Sequence, residues 1–270
     1  MSSQDEFFIG WSGELPKRTG GLVRKAWIGA LALGLAVAAY AAISQPPFAK
    51  SRFEFGVERT FEGRIEHIPY PTLVVERPGL SIDASGTSRW LLTVFGKRGA
   101  DEYTRPLDGH RVSVTGSLIY RGAATMLEIL PETLEDKGDA LEFDPPRDRT
   151  WLAEGPATSL VHSDAPVEQT FTGEIVDSKC FLGVMKPGNL KTHRACAIRC
   201  ISGGVPPVLL VRGESASDPV TYLLMVDVDG KAVNDRVLDH VAEPITLRGT
   251  VKSYGDMHVL YADPATIARR

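Results

Sequence analysis

The hydrophobic positions of the chain fall into one long apolar segment near the N-terminus and many short ones after it. Residues 26–43, AWIGALALGLAVAAYAAI, form a run without a charge, and Arg24 and Lys25 precede it directly. A helix rises about 1.5 Å per residue, so this run reaches about 27 Å, close to the ~30 Å hydrocarbon core of a bilayer. The pattern predicts a membrane anchor at residues 26–44, preceded by a cytoplasmic leader at residues 1–25.

Two interpretations of this apolar run differ in whether the cell retains it. A cleaved signal peptide has a short basic start and an A-x-A site, which Ala39, Tyr40 and Ala41 match. The length of the segment before the run, and of the run itself, favours a retained anchor. Four basic residues precede the run and three follow it closely, which predicts a cytoplasmic N-terminus. The chain is then expected to be a single-pass protein of the inner membrane, with its C-terminal domains in the periplasm.

The short apolar segments that follow the anchor repeat. Three pairs match: FEGRI (61–65) with FTGEI (171–175), WLLTV (90–94) with YLLMV (222–226), and RVSVTGSLIYRG (111–122) with PITLRGTVKSYG (244–255). From Trp90 to Gly116 is 26 positions, and from Tyr222 to Gly249 is 27. Each copy alternates short apolar strands with clusters of Gly, Asp, Asn and Pro. The sequence therefore predicts two β-domains, at residues 52–134 and 167–266.

The order of the predicted elements resembles the oligonucleotide/oligosaccharide-binding (OB) fold, in the bacterial variants that begin with an x-G-x-I strand. Residues 232–241, AVNDRVLDHV, place apolar side chains at helical spacing between the third and fourth strands of the second copy. The resemblance implies a mainly β protein, with two OB-like five-stranded barrels behind one N-terminal transmembrane helix, and it implies no particular function. Residues 135–166 are acidic and carry four prolines, which predicts a linker between the barrels.

The second copy carries an insertion that the first copy lacks. The first and third strand candidates are 27 positions apart in the first copy and 49 apart in the second. The second-strand candidates, residues 71–75 and 206–211, place the additional residues between strands one and two, at about residues 178–205. This insertion contains all three cysteines of the chain. It is predicted to be a graft on one rim of the barrel, where OB folds often bind their ligands.

Within the insertion, residues 191–200, KTHRACAIRC, predict a helix that ends at a Gly-Gly pair. On a helix, His193, Cys196 and Cys200 are i, i+3 and i+7, so their side chains share one face. Soft thiolate and imidazole groups that converge in this way are typical metal ligands.

The residues before this helix complete the predicted site. Cys180 joins from the preceding loop, Met185 is within reach as a further ligand, and Asp177 is placed to orient His193 from outside the ligand set. The sequence thus predicts a Cys3His metal site formed by Cys180, His193, Cys196 and Cys200.

Two alternatives to a metal site remain open. In an oxidising compartment Cys180 would pair with Cys196 or Cys200 and staple the loop to its helix, which leaves one cysteine over. A bridge between Cys196 and Cys200 would strain an intact helix. A reactive thiol is the other alternative.

Zinc and copper are the metals that these ligands suit. Cys3His matches structural zinc. A C-x3-C pair with a nearby His and Met resembles the copper sites of cytochrome oxidase subunit II and of its membrane-anchored copper chaperones. In those families the histidine follows the cysteine pair, whereas His193 precedes it here. The cysteine spacing matches none of the usual iron–sulfur patterns. Residues 26–135 share their architecture with the haem chaperone of cytochrome c maturation, but no haem-binding residue carries over.

Composition and charge narrow the expected function. The chain is 43% hydrophobic and 24% charged, with a net charge of −4, and its basic residues are scattered, so we expect no nucleic-acid partner. No Ser-His-Asp order or paired carboxylates stand out, so we expect a role other than catalysis. The sequence favours a membrane-anchored, exported accessory protein of a redox or respiratory complex. The alternative is a binding or scaffold module whose cysteines form a structural disulfide.

Overall fold

A computed structural model describes most of the chain. The described residues are 17–44, 51–76, 86–139, 168–211 and 221–270. They belong to two compact units, Met1–Pro47 and Phe48–Arg270. Most of the predicted leader and the predicted linker beyond residue 139 lie outside the described residues.

The first unit contains one helix, α1 (Lys17–Ser44). It begins before the predicted anchor and ends where the anchor was predicted to end. Within it, Thr19–Ser44 is long and apolar enough to cross a membrane, and large side chains such as Trp27 and Ile43 are exposed. A signal sequence near the N-terminus can also be long and apolar enough to meet this criterion, so the retention of this helix stays a prediction.

The second unit begins with a closed barrel, barrel 1. Its strands are β1 (Ser51–Phe53), β2 (Arg59–His67), β3 (Pro71–Glu76), β4 (Thr87–Val94), β5 (Arg98–Gly99), β6 (His110–Arg121), β7 (Ala124–Ile129) and β8 (Glu135–Asp139), with helix α2 (Asp101–Thr104) and 3₁₀ turns at Arg105–Leu107 and Pro131–Thr133. Strand β2 pairs with β3, and β3 with β4. Strand β4 runs parallel to β7, β7 pairs with β6, and β6 returns to β2. This circular order closes five strands into the OB topology.

Barrel 2 repeats this topology. Its elements are β9 (Gln169–Asp177), β10 (Pro207–Val211), β11 (Thr221–Val226), β12 (Pro244–Tyr254), β13 (Met257–Ala262) and β14 (Ala268–Arg269), with helix α3 (Arg194–Ser202), a π-helical turn at Cys180–Val184, and 3₁₀ turns at Lys191–His193, Asn234–Arg236, Leu238–His240 and Pro264–Thr266. Strand β11 runs parallel to β13, and the remaining five pairings, including that of β14 with β12, are antiparallel. The prediction of two five-stranded barrels behind an apolar N-terminal helix is confirmed.

The helical spacing of residues 232–241 does not produce an α-helix. Two short 3₁₀ turns occupy this segment, at Asn234–Arg236 and Leu238–His240. Val233, Val237 and Val241 are nevertheless buried in the core of barrel 2. Two short turns can place residues four apart on one side as a helix does, so the apolar spacing alone does not distinguish them.

The continuous apolar runs of β10 and β11 follow from burial on both faces of the strands. Leu209, Leu223 and Met225 point into the core of barrel 2. Their neighbours Leu210 and Leu224 belong to a second apolar cluster that also contains residues of barrel 1, among them Tyr70, Leu91 and Ile119. Strands that are buried on both faces lose the apolar–polar alternation of half-exposed strands. The two barrels therefore pack directly against each other through an apolar interface.

Candidate metal centre

The insertion of barrel 2 spans the residues between β9 and β10. Strand β9 ends at Asp177 and β10 begins at Pro207, whereas only three residues separate β2 and β3 at the matching position of barrel 1. The insertion folds as the π-helical turn, the 3₁₀ turn and helix α3, and Gly203 ends α3 by donating to the carbonyls of the last helical turn. All three cysteines lie within these elements.

The three cysteine sulfurs come together at one point. Cys180 at the start of the π-helical turn and Cys196 and Cys200 on α3 have sulfur atoms that all lie within 4.8 Å of one another. The Cys180 and Cys196 sulfurs are 3.9 Å apart, and all three thiols are free. A disulfide would hold one pair at ~2 Å. The spacing instead suits a shared ion bound at ~2.3 Å from each sulfur.

His193 belongs to a neighbouring group of possible ligands. Its ring lies with Asp177 and Cys180 within 4.8 Å, and this group does not include the two cysteines of α3. The reason is local, because α3 begins at Arg194 and His193 closes a 3₁₀ turn before it. A 3₁₀ turn has 3.0 residues per turn, compared with 3.6 in an α-helix, which rotates His193 away from the shared face that the sequence predicted. A four-ligand Cys3His set stays a prediction, with Cys180 as the residue that both groups share.

The carboxylate of Asp177, at the end of β9, forms hydrogen bonds with two residues of the site. One carboxylate oxygen accepts a 2.8 Å hydrogen bond from the backbone N–H of Cys180, and the other accepts a 3.0 Å bond from Nε2 of His193. Asp177 is fully buried, and His193 is 4% exposed. This contact has the geometry of a carboxylate that orients a metal-binding imidazole, and it leaves Nδ1 as the free ring nitrogen. The hydrogen bond between Asp177 and His193 is therefore present, and the role of Asp177 at a metal site stays a prediction.

Met185 lies at the end of the π-helical turn. Its backbone N–H donates to the Cys180 carbonyl at 3.2 Å, but its side chain is 43% exposed. The structure therefore places its backbone beside the site and leaves the residue exposed. Its role as a ligand stays a prediction.

The cysteines differ in exposure and in protonation. Cys180 and Cys200 are buried and pack with Val205 and Val184, whereas Cys196 is partly exposed. A hydrogen bond from the Cys180 thiol lowers the pKa of Cys200, and the same bond together with burial raises the pKa of Cys180. The protonation of the two buried thiols is therefore coupled, and a metal ion that binds them as thiolates would displace their protons.

A lysine that the sequence did not reveal reaches the site from barrel 1. Lys97 lies in the turn between β4 and β5, and its Nζ donates to the sulfur of Cys196 at 3.0 Å. This hydrogen bond raises the pKa of Lys97. Nothing in the local sequence of barrel 1 marks this lysine, because the contact joins two residues from different barrels.

Lys179, one residue before Cys180, anchors the insertion to barrel 1. Its ammonium donates to the carbonyls of Val94 at 2.7 Å and Gly96 at 2.8 Å, and it forms an ion pair with Glu128. Lys179 is 3% exposed. Lysine is rarely buried without a partner, so a sequence alone gives little reason to place it in an interface.

Two glycines allow the barrels to approach each other beside the site. The N–H of Gly99 donates to the Gly203 carbonyl at 2.9 Å. A Cβ at Gly203 would overlap the carbonyl oxygen of Lys97, and a Cβ at Gly99 would overlap that of Gly204. Only residues without a side chain permit this contact, which holds the turn of Lys97 against the end of α3.

Comparisons with known proteins add no assignment. No protein-family model matches the chain, and no curated protein matches it.

Proposed function

We propose that the chain is a metal-binding accessory protein that holds a thiophilic ion, zinc or copper, at Cys180, Cys196 and Cys200. The observation that supports this proposal most strongly is the convergence of three unbonded sulfurs within 4.8 Å. Three thiolates select soft or borderline ions, and the apolar packing around two of them limits access of water. His193, oriented by Asp177, is the candidate for a fourth ligand.

The proposal places this site outside the cytoplasm, on a protein anchored in the inner membrane by α1. An apolar helix of sufficient length supports the anchor, and the basic residues before it support a cytoplasmic N-terminus. Alkaline phosphatase fused after residue 270 should be active in intact cells, because that enzyme folds only in an oxidising compartment. If this fusion is inactive, and a reporter that fluoresces only in the cytoplasm is fluorescent at the same position, the orientation is the opposite of the one proposed.

The proposal further assigns the protein to a membrane redox complex, as a subunit or an assembly factor. A soft-ligand site on an exported, anchored domain supports this role, because such sites hold the metals that respiratory complexes use. Purification from native membranes under mild detergent should recover the protein with a copper- or haem-containing complex, identified by its visible absorption and metal content. Recovery of the protein always alone would contradict this part of the proposal.

Elemental analysis tests the metal site itself. The full-length protein in detergent should carry about one zinc or copper per chain. Cys200→Ser should lose the metal, His193→Ala should lose it if the imidazole is a ligand, and His110→Ala in barrel 1 should retain it. The alternative of a stapled scaffold predicts no metal, one free thiol of three after denaturation, and no effect of His193→Ala.

A further inference from the structure

The exposed edge of the cysteine cluster carries a positive charge from the other barrel. Cys180 and Cys200 are 3% and 1% exposed, whereas Cys196 is partly exposed and receives the hydrogen bond from Lys97. Solvent therefore reaches the cluster beside Cys196. An ammonium group lies at the point where an ion would enter.

Hydrogen bonds hold the backbone in place before and after Lys97. The carbonyls of Val94 and Gly96, just before Lys97, accept hydrogen bonds from buried Lys179. Gly99, just after it, donates to the Gly203 carbonyl at the end of α3. The turn that carries Lys97 is thus fixed to the insertion, which keeps the lysine beside Cys196.

The charge of Lys97 acts differently on ions of different valence. Three thiolates bring three negative charges to the cluster, so either Cu(I) or Zn²⁺ leaves the site negative. A fixed positive charge repels a divalent ion twice as strongly as a monovalent ion at the same position. Its stabilisation of the thiolates is the same for both ions, and it cancels when their affinities are compared.

We infer that Lys97 makes the three-cysteine site selective for a monovalent soft ion, Cu(I), over Zn²⁺. This inference depends on the proposed metal-binding function and adds to it the class of ion and a residue that determines it. Lys97 is a specificity-determining residue that acts on the ion through space, without coordinating it. The exposed position of Lys97 weakens its effect through solvent screening, so we expect about a tenfold contribution to the ratio of affinities.

Competition titrations of the full-length protein in detergent test this inference. The protein is kept anaerobic and reduced, Cu(I) is titrated against a Cu(I)-specific chelator, and Zn²⁺ against a zinc chelator. Lys97→Met should lower the ratio of Cu(I) affinity to Zn²⁺ affinity about tenfold at low salt. In 1 M salt, where the Debye length is about 3 Å, most of this difference should disappear.

Two controls separate charge from structure. Lys97→Arg preserves the positive charge and should have nearly the wild-type ratio. Lys231→Met removes an exposed lysine of barrel 2, with a side chain 77% exposed, and should also have the wild-type ratio.

The outcomes distinguish this inference from the proposed function. A wild-type protein that binds neither ion refutes the metal-binding function. A wild-type protein that binds an ion, with an unchanged ratio in Lys97→Met, overturns the role of Lys97 and leaves the metal site standing. A ratio that changes equally in Lys97→Arg, or that does not respond to salt, also overturns the charge argument.

Discussion

The buried ion pair between Lys179 and Glu128 should stabilise the junction between the insertion and barrel 1. The three donors of the Lys179 ammonium are all used, on Glu128 and on the carbonyls of Val94 and Gly96. The two side chains are 4% and 11% exposed. Lys179→Met removes the ammonium with little change in volume, and it leaves the carboxylate of Glu128 buried without its partner.

The expected loss of stability follows from the unpaired charge of Glu128. Removal of one member of a buried ion pair costs about 3–5 kcal/mol, because the remaining charge has little access to water and has lost its partner. The double variant Lys179→Met/Glu128→Gln removes the charge as well, so that only the two carbonyls lack their donor. It should therefore lose about 1–3 kcal/mol, less than the single variant.

Urea unfolding of the full-length protein in detergent, followed by circular dichroism of the β-structure, measures these differences. Lys231→Met is the matched control, and an exposed lysine of this kind should change the free energy of unfolding by no more than about 0.5 kcal/mol. A loss below about 1 kcal/mol for Lys179→Met, or a double variant less stable than the single one, would refute this interpretation of the junction.

Three further predictions concern the interface and the barrels, and each is measured as a free energy of unfolding. Tyr70→Phe should cost about 1–3 kcal/mol, because the buried hydroxyl bonds two backbone groups of barrel 2, at 3.2 Å each; an unchanged stability would contradict it. Gly203→Ala should cost about 1–3 kcal/mol through overlap with the Lys97 carbonyl oxygen, and an unchanged stability would contradict the close approach of the two barrels at this position. Burial lowers the pKa of His258 in the folded state, so the unfolded chain takes up its proton first. Stability should therefore fall as the pH decreases from ~6.5 towards the folded pKa, by at most ~1.4 kcal/mol per pH unit, and His258→Gln should lack this contribution.

The fold could be predicted because its signals are local and repeated. Residues 61–65 and 171–175 open the first strand of each barrel, and the apolar runs at 71–75 and 206–211 mark the second strands. The difference in spacing between these landmarks also located the insertion. The helical apolar spacing of residues 232–241 corresponds instead to two 3₁₀ turns, which bury Val233, Val237 and Val241 just as a helix would.

The site could be predicted only in part, because some of its contacts join distant segments. The spacing of Cys196 and Cys200 within one helix is visible in the sequence, and their meeting with Cys180 followed from the turn residues between them. Lys97 is 99 positions from its sulfur partner, and no periodicity in barrel 1 marks it. The displacement of His193 depends on where α3 begins, and helix boundaries depend on turns that apolar spacing does not specify.

X-ray absorption at the metal edge of the metal-loaded, full-length protein tests the central claim most directly. Three sulfurs within 4.8 Å should give a first shell of three sulfur ligands at ~2.3 Å, with one nitrogen added if His193 binds. Cys196→Ser should lower the sulfur count by one, and Met185→Leu should leave it unchanged if the thioether stays in solvent. A shell of oxygen and nitrogen only, with no sulfur at ~2.3 Å from the metal, would contradict a three-thiolate metal site.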